Sequence, residues 1–373
     1  MAVFGVSELE DLGAVQGKSV LVRVDFNVPM SGGKIVDDLR IRAALPTLRW
    51  LQDQGATVTA CSHFGRPGGT ADPAYSLDPV KARLNEVAPG IELLENLRFD
   101  AGEESNDPAF VRQLIDGHDL YVNDAFGASH RAHASIVGPP QFLPAAAGRL
   151  MAREVEALVG VRDHARRPFV AVLGGAKVSD KLGVIEALLE IVDRVIVGGG
   201  MAFTFLRALG HDIGDSLLEE DMIDTCRRLL DSGASIHLPK DITALGAGGK
   251  LFEPGGEVRN VGLDLATGWM GVDIGPKSAA EFSELILDAG TVLWNGPMGV
   301  FEDPRFAAGT QAVAEAMADA TAFTVVGGGD SAAAVKQLGF AHDMDHVSTG
   351  GGASLEFIEH GDLPGLAALR NNG

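Results

Sequence analysis

The stretch PFVAVLGGAKVSDKLGVIEALLEIVDRVIVGGGMAF, residues 168–203, decides the fold class. Two short runs rich in apolar and β-branched residues, 168–173 and 194–197, flank a segment of helical periodicity at 182–192. Nearly continuous apolar runs are typical of parallel strands that are buried on both faces of a sheet. A strand, a helix and a second strand of these lengths form a βαβ unit. The stretch therefore predicts an α/β fold in which helices cover a parallel sheet.

The same alternation runs through the rest of the chain. Helical stretches at 41–55 and 309–320 lie among further predicted strands. Those strands fall within SVLVRVDFNVP (19–29), TVTACSHFGRP (57–67), DLYVNDAFGAS (119–129), TVLWNGPMGV (291–300) and FTVVGGGDSAA (323–333). A length of 373 residues suggests two domains, at roughly 150 residues each. A charged amphipathic helix at 148–167 fits an ordinary surface helix equally well, but its place between two sets of βα units favours a connector.

Composition excludes some classes of function. The chain has 30 Lys+Arg against 51 Asp+Glu, a net charge of −21, which argues against a protein that coats nucleic acid or an anionic membrane. The first residues show no secretory signal pattern, and no apolar run reaches the length of a membrane span. Cys61 and Cys226 match no metal or redox spacing. We expect a cytoplasmic protein with neither nucleic acid nor membrane as a partner.

The strand ends of the first half carry cations. Ligands of open parallel sheets bind beyond the carboxyl ends of the strands. There the sequence offers Arg23, Asp25, Asn27, His63, Arg66, Asn123, Asp124, His130, Arg131 and His133, with Arg40 and Arg98 shortly after other predicted elements. Arginine suits bidentate recognition of carboxylate and phosphate. Any one of these arginines fits a solvated surface position, but several together in so acidic a chain predict a site for a small polyanion.

The strand ends of the second half carry glycines instead, at 174–175, 198–200, 327–329 and 350–352. Glycine lets backbone amides approach a ligand closely, and the following helix N-terminus attracts anions, which suits the phosphates of a nucleotide. Lys177 and Lys181, four apart, are expected on one face at the start of a helix. Asp330 either caps a helix or holds a magnesium ion. The absence of a P-loop motif and of G-x-G-x-x-G argues against a P-loop enzyme and a nicotinamide dehydrogenase.

Taken in order, the motifs are specific enough to name a family. They are RVDFNVP (23–29), SHFGRP (62–67), ENLRF (95–99), VNDAFGASHRAHAS (122–135), LGGAKVSDK (173–181), GGGMAFTFL (198–206), WNGPMGVFE (294–302), VVGGGDSA (325–332) and STGGGAS (348–354). From about Val6 to Leu369 the chain resembles the phosphoglycerate kinases. The resemblance implies two Rossmann-like three-layer α/β domains with parallel sheets, joined by a helix and hinge. They would be a phosphoglycerate-binding domain at 1–149, a connecting helix at 150–167, a nucleotide-binding domain at 168–354, and a tail at 355–373 that returns to the first domain.

The resemblance also implies the activity and the site. The reaction would be reversible phosphoryl transfer from 1,3-bisphosphoglycerate to MgADP, giving 3-phosphoglycerate and MgATP, with hinge closure bringing the substrates together in a cytoplasmic monomer. Phosphoglycerate would bind Asp25, Phe26, Asn27, Arg40, His63, Arg66, Arg98 and Arg131. The nucleotide would bind Gly175, Lys177, Lys181, Gly199, Gly271, Asn295, Glu302, Gly327, Gly328, Gly329, Asp330 and Ser331. Arg40, Lys177, Lys181 and Gly328 would serve catalysis, and Asp330 would bind Mg²⁺.

The chain departs from the family pattern in one large respect. Between KARLNEVAPG (81–90) and IELLENLRF (91–99), a strand and a helix usual in the family are missing, so we expect a reduced amino-terminal sheet. The segment LPKDITAL (238–245) is also unusual, without a consequence that the sequence assigns. One alternative function is a catalytically impaired nucleotide- or anion-binding protein on the same scaffold. Another is a cleft-type small-molecule binding protein, a class that is usually exported.

Overall fold

The computed structural model describes residues 3–371. Contacts divide the chain into two compact units. The first unit holds the residues up to Val159 and those from His360 onward, and the second holds Gly160–Glu359. Residues 1–2 and 372–373 of the predicted ranges 1–149 and 355–373 lie outside the described residues.

The first unit is built on a parallel sheet. Its strands are β1 (Ser19–Arg23), β2 (Met30–Ser31), β3 (Lys34–Ile35), β4 (Thr57–Cys61), β5 (Glu92–Leu93), β6 (Leu120–Asn123) and β7 (Ala145–Ala147). Its helices are α1 (Leu39–Asp53), α2 (Asp78–Val87), α3 (Ala101–Ser105), α4 (Pro108–Ile115), α5 (Ala134–Val137) and α6 (Arg149–Asp163), of which α6 continues into the second unit. The sheet has the order β5-β4-β1-β6-β7 and is parallel throughout, while β2 and β3 form a small antiparallel pair.

The core of the first unit lies around its central strand, β1. Val20, Leu21 and Val22 of β1 are fully buried, as a central strand covered on both faces requires. The apolar face of α1 packs into the same cluster through Ile41 and Leu48. At the sheet edge, β5 has two residues, and only residues 88–91 connect α2 to it. That connection is too short for a further strand and helix.

The second unit contains two sheets. Its strands are β8 (Phe169–Leu173), β9 (Arg194–Val197), β10 (Ile236–His237), β11 (Ile242–Leu245), β12 (Val258–Val261), β13 (Met270–Ile274), β14 (Thr291–Asn295), β15 (Phe323–Gly327) and β16 (His346–Val347). Its helices are α7 (Leu182–Leu189), α8 (Met201–Ala208), α9 (Ile223–Asp231), α10 (Pro276–Leu287), α11 (Ala308–Asp319), α12 (Gly329–Leu338) and α13 (Gly351–His360). A last helix, α14 (Pro364–Arg370), belongs to the first unit.

The larger sheet of the second unit is the one that residues 168–203 predict. It is parallel, with the order β10-β9-β8-β14-β15-β16, and the predicted α/β class with parallel sheets is confirmed. The smaller, antiparallel sheet β12-β11-β13 was not predicted. The unusual segment 238–245 has a structural role here, because its last four residues form β11. Just before β11, the buried carboxylate of Asp241 accepts hydrogen bonds from the backbone and hydroxyl of Ser278 at the start of α10.

In each parallel sheet, the register places the carboxyl ends of neighbouring strands beside one another. In the first unit Arg23 pairs with both Cys61 and Asn123, so the segments that follow β1, β4 and β6 leave the sheet side by side. In the second unit Leu173 pairs with Val197 and with Asn295, and Asn295 pairs with Gly327. The glycine-rich turns after β8, β9, β14 and β15 therefore meet at one edge. Among residues 3–371, no helix is both long and apolar enough to cross a membrane.

Candidate functional site

A pocket of about 250 Å³ opens at the strand ends of the first unit. We call it the basic pocket. All of the predicted phosphoglycerate-binding residues except Phe26 line it, together with Gly65, Gly127, Ala128, His130 and His133. Phe26 is fully buried, and its backbone N–H donates to the hydroxyl of Ser62. Since arginine cannot lose its proton near neutral pH, the pocket is a permanent cation cluster.

Arg40 and Asp25 form an ion pair within the basic pocket. Burial by itself raises the pKa of Asp25, but the charges of Arg40 and Arg23 outweigh burial and hold the pKa below its usual value. Asp25 is therefore ionised at neutral pH and keeps Arg40 at the pocket wall. The Arg40 side chain remains one-third exposed, so it can still turn toward a ligand.

His63 and Arg98 are the buried members of the basic pocket. Burial and the charges of Arg23, Arg98 and Arg131 together lower the pKa of His63 to about 3, against the opposing effect of Asp25. His63 is therefore neutral and can contribute one N–H donor. Arg98 donates through Nη1 to the carbonyl of Gly65 at 2.6 Å, which fixes its guanidinium at the pocket wall.

A second pocket, of about 290 Å³, opens at the strand ends of the second unit. We call it the glycine pocket. Of the predicted nucleotide-binding residues it is lined by Gly175, Gly199, Gly271, Glu302 and Asp330. Apolar side chains line it as well, among them Phe203, Leu217 and Phe252. An aromatic and aliphatic wall beside exposed backbone is typical of a site for a flat, partly apolar ligand.

The glycines of this pocket are required first by the backbone itself. At Gly199 φ is +65°, and an added Cβ would lie 2.6 Å from the backbone nitrogen of Gly175. At Gly328 φ is +93°, and a Cβ would lie 2.7 Å from Nδ2 of Asn295. Both conformations and both close approaches exclude a side chain. The glycine-rich turns thus pack against one another and present backbone groups at this edge of the sheet.

Lys181 is held behind these turns. Its Nζ donates to the backbone carbonyls of Gly174 at 2.7 Å and Asn295 at 3.0 Å, and to Oδ1 of Asn295 at 2.6 Å. Burial lowers the pKa of Lys181 to about 8, against the opposing charges of Asp330 and Asp180. The Asn295 side chain is buried, and its Nδ2 has no hydrogen-bond partner among the described residues. This buried donor lies directly behind Gly328, 2.7 Å from where a Cβ would be.

The expectation that Lys177 and Lys181 share a helical face is wrong. Lys177 lies in an exposed loop, and α7 begins only at Leu182 after a short 3₁₀ turn, Ser179–Lys181. The loop is held instead by the Glu219 carboxylate, which accepts from the backbone N–H of Val178 at 2.6 Å. Helical spacing therefore does not relate the two lysines.

The remaining predicted nucleotide residues cluster at α12. Its N-cap is Gly328, so the alternative in which Asp330 caps this helix is wrong. Asp330 lies in the first turn, exposed, at the wall of the glycine pocket. The hydroxyl of Ser331 is buried and accepts from the backbone N–H of Gly296. Gly327, Gly328 and Gly329 lie beside the glycine pocket without lining it.

The described residues hold no cluster of three or more His, Cys, Asp or Glu side chains that could cage a metal. Asp330 is an exposed carboxylate at the wall of the glycine pocket. The basic pocket suits a small anion, and the glycine pocket suits a nucleotide. The sequence model of the family "Phosphoglycerate kinase" matches residues 9–92 and 88–361. The chain belongs to the phosphoglycerate kinase family.

Known members of the family are similar over nearly the whole chain. A phosphoglycerate kinase of Rubrobacter xylanophilus is 51% identical over 380 residues, covering 95% of this chain and 96% of that protein. One of Salinispora arenicola is 52% identical over 401 residues, covering 98% and 100%. The solved structure of phosphoglycerate kinase from Coxiella burnetii superposes with a TM-score of 0.90 at 37% identity, covering 98% and 99%.

These matches bear on the missing strand and helix. The two segments matched by the family model meet at residues 88–92, where the sequence analysis places the omission. The alignment to the Salinispora arenicola protein is also longer than this chain. Both observations agree with a relative that carries a segment this chain lacks.

Sequence reasoning missed part of each site. The apolar wall of the glycine pocket (Phe203, Leu217 and Phe252) carries no motif of its own, although exposed Leu217 and Phe252 depart from a polar surface. Arg23 was counted among the strand-end cations but not among the phosphoglycerate-binding residues, and in the structure it lies fully buried against His63. Its place at the end of β1 was the available signal.

Proposed function

We propose that this protein catalyses reversible phosphoryl transfer from 1,3-bisphosphoglycerate to MgADP, giving 3-phosphoglycerate and MgATP. The observation that carries the proposal is the basic pocket, whose wall combines Arg40, Arg66, Arg98 and Arg131 in a family of this activity. This pocket fits a substrate that bears both phosphate and carboxylate, because guanidinium groups bind each of them bidentately.

The side chains that would hold phosphoglycerate in the basic pocket differ in charge. The arginines supply fixed positive charge, and neutral His63 supplies a hydrogen bond without adding charge. Asp25 stays ionised and orients Arg40. Asn27 accepts from the backbone N–H of Gly65 at 3.0 Å, so its amide also shapes the loop beneath the ligand.

The glycine pocket would hold the nucleotide. Glu302 is exposed at its wall, where a carboxylate can accept hydrogen bonds from ribose hydroxyls. The backbone around Gly328 and the N-terminus of α12 would receive the phosphates. The buried Nδ2 of Asn295, which has no partner among the described residues, lies at the same edge. Phe203, Leu217 and Phe252 would contact the base.

We propose that Asp330 is the protein's ligand to the magnesium ion of the nucleotide substrate. Magnesium neutralises phosphate charge and orients the phosphate chain when bound. Asp330 is suited to this role because it is exposed, lies at the pocket wall, and does not cap α12. Its carboxylate would complete a coordination shell otherwise made of phosphate oxygens and water.

In the transfer itself, an ADP oxygen bonds to the acyl phosphorus while the bond from phosphorus to the carboxylate oxygen breaks. Both the attacking phosphate and the leaving carboxylate are ionised, so no general base is required. The transition state spreads negative charge over the equatorial oxygens, and cations held in place stabilise it. Arg40 and Lys181 are the groups we propose for this, with Lys177 as an exposed cation that can move. Since donor and acceptor must touch, turnover would include the hinge closure that the family resemblance implies.

A coupled spectrophotometric assay tests the proposed function. ADP formation should require 3-phosphoglycerate, ATP and magnesium together, and omission of any one should abolish it. Folded protein that forms no ADP with all three present would contradict the proposal and favour the catalytically impaired alternative. No observation on the described residues favours that alternative, because Arg40, Lys181 and Asp330 all occupy positions at the pockets or strand ends.

We also propose that the protein acts as a cytoplasmic monomer, as the family resemblance implies. Light scattering coupled to size-exclusion chromatography should give a mass near the 38.9 kDa of the chain. A mass of twice that value would contradict the monomer.

A further inference from the structure

A buried ion pair lies beneath the basic pocket without lining it. Arg23 ends β1 and Glu103 lies in α3, and both side chains are fully buried. Nη2 of Arg23 is 4.0 Å from Oε1 of Glu103. Taking two charges out of water is costly, and a buried pair is often no more stabilising than apolar residues of similar volume. Stability alone therefore does not account for this pair.

The contacts of Arg23 determine the state of His63. Nη2 of Arg23 lies 3.1 Å from Nδ1 of His63. A guanidinium only donates, so Nδ1 must be the acceptor of this hydrogen bond. In a neutral imidazole with Nδ1 as acceptor, the proton is on Nε2.

The other ring nitrogen faces the site. His63 lines the basic pocket, and its Nε2 has no hydrogen-bond partner among residues 3–371. Nε2 is not enclosed by protein atoms. The atom therefore keeps access to the pocket. The charged groups facing the ring are Asp25, Arg23, Arg98 and Arg131; burial and the three arginines keep the ring neutral against the opposing charge of Asp25.

Glu103 fixes the arginine from below. Its Oε1 accepts from the hydroxyl of Ser135 at 2.6 Å, and its Oε2 accepts from the backbone N–H of Ser135 at 2.9 Å. The same hydroxyl accepts from Nε of Arg23 at 2.8 Å. Glu103, Ser135, Arg23 and His63 thus form one chain of hydrogen bonds that ends at the pocket.

We propose that Glu103 and Arg23 are positioning residues that hold His63 as its Nε2–H tautomer, so that the basic pocket presents a neutral hydrogen-bond donor to its anionic substrate. The identity of that substrate rests on the proposed function, but the tautomer does not. A donor locked in this way contributes the same hydrogen bond across the physiological pH range. His63 then adds no charge to the basic pocket in that range.

Nitrogen-15 NMR of the imidazoles in the unmodified full chain tests the tautomer, with His63→Asn used only to assign the signals. We expect a neutral Nε2–H ring from about pH 5.5 to about pH 8, with no titration near the ordinary histidine pKa. A proton on Nδ1, or titration of His63 within that range, would overturn the proposal. This measurement needs no activity.

Arg23→Lys tests the positioning role, because lysine keeps the charge but loses the planar fork. We expect a mixture of His63 tautomers and a KM for 3-phosphoglycerate raised about tenfold, with the KM for MgATP and kcat within about threefold. The matched control is Arg112→Lys on α4, an exposed arginine outside the pocket, which should change none of these.

The outcomes separate the two proposals. An Arg23→Lys protein that keeps both the single tautomer and the KM overturns the positioning role. If Arg23→Lys does not fold, the spectrum of the unmodified chain still decides the tautomer. An unmodified chain with the Nε2–H tautomer but no transfer of phosphate from MgATP to 3-phosphoglycerate contradicts the proposed function and leaves the tautomer standing.

Discussion

The Nζ atom of Lys181 lies 2.6 Å from Oδ1 of Asn295, a residue 114 positions later in the chain. Two backbone carbonyls, of Gly174 and of Asn295 itself, complete an oxygen cage around the ammonium. Because Leu173 at the end of β8 pairs with Asn295 at the end of β14, Gly174 follows directly at the same edge of the sheet. The cage therefore holds one positive charge at the edge where the glycine-rich turns meet.

Replacement of Lys181 by alanine should remove that charge from the transition state. We expect Lys181→Ala to lower kcat by about 100-fold or more, with a much smaller change in nucleotide affinity. Steady-state kinetics and calorimetry with MgADP measure the two effects. The control is Lys277→Ala, an exposed lysine at the start of α10 and outside the glycine pocket. An unchanged kcat in Lys181→Ala would remove Lys181 from the mechanism.

The pH dependence of the reaction should report the same lysine. Burial lowers the pKa of Lys181 to about 8 in the free protein, so the amine is charged below that pH and neutral above it. We expect kcat/KM for MgATP to fall as pH rises through about 8, since this ratio reports groups of the free enzyme. In Lys181→Arg the cation persists to high pH, and any remaining activity should lose this alkaline decline. A decline identical in both proteins would assign it to another group.

Gly328 and Gly339 bracket α12 and allow a matched comparison. Both have φ near +90°, so alanine is strained at either position. A Cβ at Gly328 would lie 2.7 Å from Nδ2 of Asn295, whereas one at Gly339 meets nothing within 4 Å. We expect Gly328→Ala to raise the KM for MgATP about tenfold or more and Gly339→Ala to leave it within about twofold. Equal effects of the two substitutions would show that backbone strain, not the lost space, is responsible.

Asp124 should make stability fall as pH rises. Its carboxylate is fully buried and accepts from the backbone N–H groups of Leu150 and Met151, yet burial raises its pKa to about 7. The unfolded chain loses this proton near pH 4, so between about pH 4 and about pH 7 the native state binds more protons and its stability falls with rising pH.

Asparagine at this position keeps an acceptor for both amides without a charge. We therefore expect Asp124→Asn to raise the free energy of unfolding by on the order of 2 kcal/mol more near pH 8 than near pH 5. Urea unfolding midpoints at the two pH values measure the difference. A variant that is less stable at both would show that the ionised carboxylate is needed.

Much of the fold could be predicted because its strands are simple. Runs such as 168–173 and 194–197 are apolar throughout, and parallel strands buried on both faces need nothing else. The sheet β12-β11-β13 was missed because β12, with the sequence VRNV, is largely exposed and has no apolar alternation. The residues of the basic pocket could be gathered from sequence because parallel strands place their carboxyl ends at one edge.

The parts of the site that sequence did not predict depend on tertiary contacts. Lys177 lies outside the helix, in a loop that Glu219 binds at the backbone N–H of Val178, 41 residues earlier in the chain. The cage of Lys181 needs Asn295, and the state of His63 needs Arg23 and Glu103 together. Spacing along the chain cannot express such contacts. The separation of side chains into those that line a pocket and those that hold it therefore requires the structure.

Trapping the product shows whether this protein forms an acyl phosphate from a carboxylate and MgATP. Purified protein is incubated with 3-phosphoglycerate, MgATP and hydroxylamine, which converts acyl phosphates to hydroxamates, and ADP, inorganic phosphate and hydroxamate are measured together. We expect hydroxamate and inorganic phosphate to form in step with ADP. Without 3-phosphoglycerate, none of the three should form. ADP and inorganic phosphate without hydroxamate, or no ADP from folded protein, would contradict the proposed function.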